Sequence, residues 1–124
     1  MNSKQILVVD DDVEMALIMK DALERHQFKV ILAHDGLQAV ERSKQNNIDL
    51  ILLDVRMPFF SGFWFCDAFK QREETRDIPI IMISGIMDEE NSQKARDLGA
   101  TACLQKPFKP SDLVQLVEQS LSAA

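Results

Sequence analysis

At 124 residues the chain is long enough for one domain with a hydrophobic core of its own, without disulfides or a structural metal. A formal charge of −6, with 46% apolar and 27% charged residues, fits an ordinary soluble globular protein and argues against a nonspecific hold on nucleic acid or anionic membrane. The apolar runs are strand-sized, too short to span a bilayer, and "MNSKQILVVDDD" breaks into acids too early for a signal peptide, so a cytoplasmic location is expected.

The first apolar run, Ile6–Val9, ends in Asp10, Asp11 and Asp12. From Val13 to His26 apolar residues recur at three and four, which predicts a helix. A second run, Val30–Ala33, leads into a helical pattern from Gly36 to Gln45 through Leu37 and Val40. The third, Leu50–Leu53, ends in Asp54, and residues 62–73 follow as a helix with Phe65, Cys66 and Phe69 on its inner face. Ile80–Ile83 ends in Ser84-Gly85 and precedes a helix over Asp88–Leu98, stopped by Gly99. A weaker run, Thr101–Leu104, is followed by Lys106-Pro107 and a last helix that Ser111 or Asp112 can cap, with Leu113, Leu116, Val117 and Leu121 on one stripe. Continuous Val, Ile and Leu runs of this length indicate strands buried on both faces, as in a parallel sheet. Five such strand–helix units predict one domain over residues 1–124. Its fold class is α/β, an open doubly wound sheet of five parallel strands with five helices.

In such sheets ligands bind in the crevice at the carboxyl ends of the strands. The chain places Asp10–Asp12, Asp54, Ser84 and Lys106 there. Two carboxylates ~4 Å apart repel by roughly 4 kcal/mol at an effective dielectric of ~20. Raised pKa values or a bound cation relieve that repulsion. Hard oxygen ligands with open positions suit Mg²⁺, which keeps waters and completes its shell with phosphate. With a lysine and a hydroxyl on neighbouring strand ends, the set reads as a place where a carboxylate nucleophile receives a phosphoryl group. A dinucleotide or flavin site would carry a glycine-rich turn after the first strand, where three aspartates instead repel phosphate unless a metal intervenes.

The segments "ILVVDDD", "DLILLDVRMP", "IPIIMISG" and "GATACLQKPF", in this order and spacing, resemble the receiver domain of two-component response regulators over nearly the full chain. The resemblance implies a flavodoxin-like, CheY-like fold and a signalling switch rather than an enzyme. It makes Asp54 the acceptor of a phosphoryl group from a sensor histidine kinase or a histidine phosphotransfer protein. Asp11, Asp54 and the Arg56 backbone carbonyl would bind Mg²⁺ directly, and Asp10 through a metal-bound water. Ser84 and Lys106 match the hydroxyl and lysine that engage the phosphoryl group, and the Lys106–Pro107 peptide is expected to be cis. Asp12 falls outside that set and is expected to cap the first helix. The implied output is contact with a downstream protein or domain, with a homodimer allowed, and not direct binding of nucleic acid or membrane. A phosphohydrolase of the haloacid-dehalogenase kind would want an acid two residues after the nucleophile, where Arg56 stands. A pseudo-receiver normally loses a pocket acid or the lysine, and this chain keeps them all.

Several positions depart from the family pattern. Cys103 stands three residues before the lysine, where the family usually has an aromatic that swings inward on activation. Arg56 and Ile86 occupy positions that tune dephosphorylation in the family, and Ser61-Gly62 replaces the commoner Asp-Gly. Cys66 and Cys103 form no metal-binding pattern and read as small buried hydrophobes. His26 and His34 read as surface residues. Six of the eight Phe and Trp residues lie between Phe59 and Phe69. Phe63 falls on the flank of the inner stripe, and Phe60 is placed to pack back over the first turn. Phe59 and Trp64 remain. They are expected either to form a contact surface for the kinase, an output protein or a second copy, or to fold back into the core.

Overall fold

Ten elements alternate along the described residues, 3–57 and 61–122, of this computed structural model. They are β1 (Gln5–Val9), α1 (Val13–Glu24), β2 (Lys29–Ala33), α2 (Gly36–Gln45), β3 (Leu50–Asp54), α3 (Gly62–Gln71), β4 (Ile80–Ser84), α4 (Glu89–Asp97), β5 (Ala102–Gln105) and α5 (Pro110–Ser122). The strands pair in parallel in the order β2-β1-β3-β4-β5. From β1 the chain first steps outward to β2 and then returns to the other side of β1 to build β3, β4 and β5. The order therefore reverses between β1 and β3, and a crevice opens above their carboxyl ends. Asp10 follows β1 directly and Asp54 is the last residue of β3.

Alternation along the central strands divides the core into two layers. Ile6 and Val8, Leu50 and Leu52, and Ile81 and Ile83 face one side with Ala16, Met19 and Leu23 of α1 and Leu113 and Val117 of α5. Leu7 and Val9, Ile51 and Leu53, and Ile80 and Met82 face the other with α2, α3 and α4. Both faces of the three central strands are thus dry, which explains their unbroken apolar runs. Among the described residues no helix is long and apolar enough to cross a membrane.

α4 is one residue shorter at each end than expected, with Asp88 and Leu98 as its caps, and three other helix boundaries differ from the sequence expectation. α1 ends at Glu24 rather than His26 because Gln27 turns into the left-handed region (φ 73°), and Phe28 N–H folds back onto the Leu23 carbonyl. No glycine announces that turn. α3 stops at Gln71 because Arg72 turns extended (φ −101°, ψ 133°), and the Phe69 carbonyl accepts from Arg72 N–H and Thr75 Oγ1. α5 begins at Pro110, where the Lys109 carbonyl accepts from Asp112 and Leu113, so Ser111 and Asp112 lie inside the first turn instead of capping it. Asp12 does cap α1, accepting from Met15 N–H.

On α3, Phe65, Cys66 and Phe69 are buried as expected, and so is Phe63, which the sequence put only on the flank. Trp64 is 53% exposed, with its ring edge-on to Phe65. Phe60 and the Phe59 half of the expected contact pair lie outside the described residues. Phe69→Ala should cost ~3–5 kcal/mol in a denaturant melt, as for a core aromatic. Trp64→Ala should cost under ~1 kcal/mol. Equal losses would place Trp64 in the core. Cys66 and Cys103 are free thiols in or against one apolar cluster, and burial pushes the Cys66 thiol up to about 11.

Candidate functional site

The crevice is assembled by backbone bonds made where each strand ends. Asp10 N–H donates to the Ala33 carbonyl (3.0 Å), and Asp12 N–H turns back onto Asp10 Oδ1 (2.9 Å). The Asp10 carboxylate is wholly buried, whereas Asp11 is exposed and lines the cleft. On the neighbouring strand, Asp54 is 5% exposed and its Oδ1 accepts from Arg56 N–H (3.2 Å). Ligand oxygens of Asp10, Asp11 and Asp54 all lie within 4.8 Å of one another.

Lys106 reaches in from the end of β5. Its N–H extends the ladder to the Ser84 carbonyl (2.8 Å), and its Nζ lies 3.3 Å from both Asp10 Oδ2 and Asp54 Oδ2. The Lys106–Pro107 peptide is cis. Ser84 is buried, and its hydroxyl accepts from Ile86 N–H (3.0 Å). The Asn91 amide holds the Ile86 carbonyl (3.0 Å), so Ser84, the loop and the first turn of α4 are linked. A cleft of about 760 Å³ opens over these groups, with Asp54, Asp11, Lys106, Phe63 and Lys94 in its wall.

Two features here were not legible in the sequence. His34 is half-buried rather than a free surface residue, because its Nδ1 lies 3.3 Å from the Asp10 carbonyl. Gly62 also packs against the acid: a Cβ there would fall 2.1 Å from the Asp54 carbonyl oxygen. The Ser61-Gly62 pair marked this corner as a departure from pattern. Ser61 still caps α3, accepting from Trp64 N–H (3.4 Å).

Burial and the adjacent Asp10 carboxylate push Asp54 up to about 6, against the opposing pull of Lys106 and the Arg56 N–H. For Lys106, burial pulls downward, but Asp54 and Asp10 outweigh it and the net direction is up. One ammonium shared by two buried carboxylates, with a third carboxylate close by, leaves an excess of negative charge. The donor set is all oxygen and converges on one point. It therefore fits a hard divalent cation in the acidic pocket of Asp10, Asp11 and Asp54.

The sequence matches the response regulator receiver domain family over residues 6–118. It is 39% identical to the transcriptional regulatory protein CpxR of Escherichia coli over 94% of this chain and 49% of that protein. It is 34% identical to the phosphate regulon transcriptional regulatory protein PhoB of the same species, over 94% of this chain and 51% of that protein. The chain thus spans about half the length of these curated relatives. Among solved structures, the fold matches the chemotaxis protein CheY4 of Vibrio cholerae with a TM-score of 0.92 and 28% identity, covering 96% of this chain and 99% of that one. A response regulator from Chloroflexus aurantiacus matches at 0.92 and 29%, covering 98% and 99%.

Proposed function

This chain belongs to the response regulator receiver domain family, and we propose that it is a phosphorylation switch with Asp54 as its acceptor. A carboxylate oxygen of Asp54 attacks phosphorus as the P–N bond of a phosphohistidine on a sensor kinase or phosphotransfer protein breaks. The bonding electron pair stays on the leaving imidazole nitrogen, which takes a proton from solvent. Asp11, Asp54 and the Arg56 carbonyl would hold Mg²⁺, which would supply charge neutralisation for the incoming phosphoryl group. Asp10 supports that set from behind, its two oxygens already engaged by Asp12 N–H and Lys106. After transfer, Lys106 is placed to pair with the phosphoryl oxygens. The Ser84 hydroxyl joins it by giving up the Ile86 N–H, which loosens the loop that leads into α4. Cys103 is half-buried, packed against the α3-side core, so this output runs through the loop and not through a swinging ring. The downstream contact is a protein or an attached output domain, and the switch acts in the cytoplasm.

The observation that carries this reading is the Lys106 ammonium shared at equal distance by Asp10 and Asp54. Incubation with acetyl phosphate and Mg²⁺ should add the mass of one phosphoryl group to the intact chain. EDTA, or Asp54→Asn, should abolish the gain. Labelling that survives either change would rule out this chemistry.

A further inference from the structure

Two cationic side chains in the cleft wall, Arg56 and Lys94, are left unexplained by this scheme, and of these Lys94 is the one seated on an aromatic ring. Lys94 projects from α4, and its Nζ lies 4.6 Å from the centre of the Phe63 ring on α3. Glu90 stands one turn before it on the same helix, in the orientation that favours an i,i+4 ion pair. The ammonium nevertheless sits over the ring, and among the described residues it makes no salt bridge. A flexible lysine stem has no need to adopt that pose. Lys94 is exposed, and the buried Phe63 ring favours its charge at the rim of the cleft that holds Asp54 and Lys106. Lys106 is already committed to two carboxylates, so Lys94 is a rim cation whose field is not spent on an acid.

Building on the phosphotransfer reading, we propose that Lys94 is a specificity-determining residue for the phosphodonor, held on Phe63 to draw doubly charged donors into an otherwise acidic cleft. A fixed positive charge acts with opposite sign on the two ions the cleft must take. It attracts an anionic donor and repels Mg²⁺. Removing it therefore slows labelling while tightening the metal. A purely structural role, tying α3 to α4, would weaken both.

The test uses the whole chain with Lys94→Gln and Lys94→Arg. Self-phosphorylation is followed with acetyl phosphate, a dianion at neutral pH, and with phosphoramidate, which carries a single net negative charge. At low ionic strength Lys94→Gln should lower kcat/KM for acetyl phosphate by about fivefold. The loss should be smaller for phosphoramidate and should shrink as salt is added. Calorimetry should show Mg²⁺ binding tightened by about twofold in the same variant. Lys94→Arg should behave as wild type in all three. An unchanged acetyl phosphate rate, a loss independent of donor charge and salt, or weaker Mg²⁺ binding would each overturn the proposal. A wild-type chain that cannot be labelled would overturn the phosphotransfer reading and this inference with it; labelled wild type with an indifferent variant overturns only the inference.

Discussion

Asp54→Asn should make the metal-free protein more stable at neutral pH, even though it destroys the proposed acceptor. The carboxylate is nearly buried and faces Asp10, and burial and that charge together push it from 3.8 up to about 6. A raised folded-state value means the folded protein holds a proton that the unfolded chain has released. Wild-type stability should therefore fall as pH rises from about 4 to 6 and stay low above that. A shift of this size is worth at most ~3 kcal/mol. Solvent in the cleft screens the charge and leaves about 1–2 kcal/mol. The asparagine variant should thus match wild type near pH 4 and melt about 5 °C higher at pH 7. Its amide can still accept the Arg56 N–H, and Lys106 then pairs with Asp10 alone. Adding Mg²⁺ should raise the melting temperature of wild type and leave the variant nearly unmoved, closing the gap. If the two proteins melt together across this pH range without metal, Asp54 is not strained by its neighbours and the electrostatic account of the site is wrong.

The parts of this site legible in the sequence are those fixed by local pattern. Strands that are dry on both faces need unbroken apolar runs, so the first polar residue after each run marks a carboxyl end. Asp10, Asp54 and Ser84 stand at such positions, and Lys106 lies one residue further on, after Gln105. What escaped depends on neighbours distant in the chain. Lys94 and Phe63 belong to different helices, and each alone reads as a solvated charge or a core ring. His34 looked free because its partner is a backbone carbonyl across the β1–β2 edge, a group that carries no residue signature. The end of α1 was missed because Gln27 adopts a conformation usually taken by glycine or asparagine. The start of α5 was misplaced because Ser111 and Asp112 are good caps by type. Pro110 at the first helical position displaced them.

The same substitution at two glycines should have opposite consequences, because one packs against the Asp54 backbone and the other stands in open space. At Gly62, a Cβ would lie 2.1 Å from the Asp54 carbonyl oxygen and 2.9 Å from both Asp54 C and Val55 Cα. These are backbone atoms, so no side chain can swing aside to make room. The Gly62 N–H is also fastened to the Val55 carbonyl at 2.7 Å, which pins the first turn of α3 against the end of β3. Gly62→Ala must push α3 off that corner or drag Asp54 out of line with Lys106. A cost of at least ~3 kcal/mol is expected, at the upper end for overpacking. Acetyl phosphate labelling should drop even at temperatures where the variant remains folded. At Gly85, directly after Ser84, an added Cβ meets nothing within 4 Å. Gly85→Ala should leave the melting temperature unchanged or slightly raised, since alanine gives the unfolded chain less freedom to lose. Chemical denaturation of the two variants side by side decides the matter. A Gly62→Ala protein as stable as Gly85→Ala would mean that the β3–α3 corner yields freely, and that the close approach of α3 does not hold the acceptor in place.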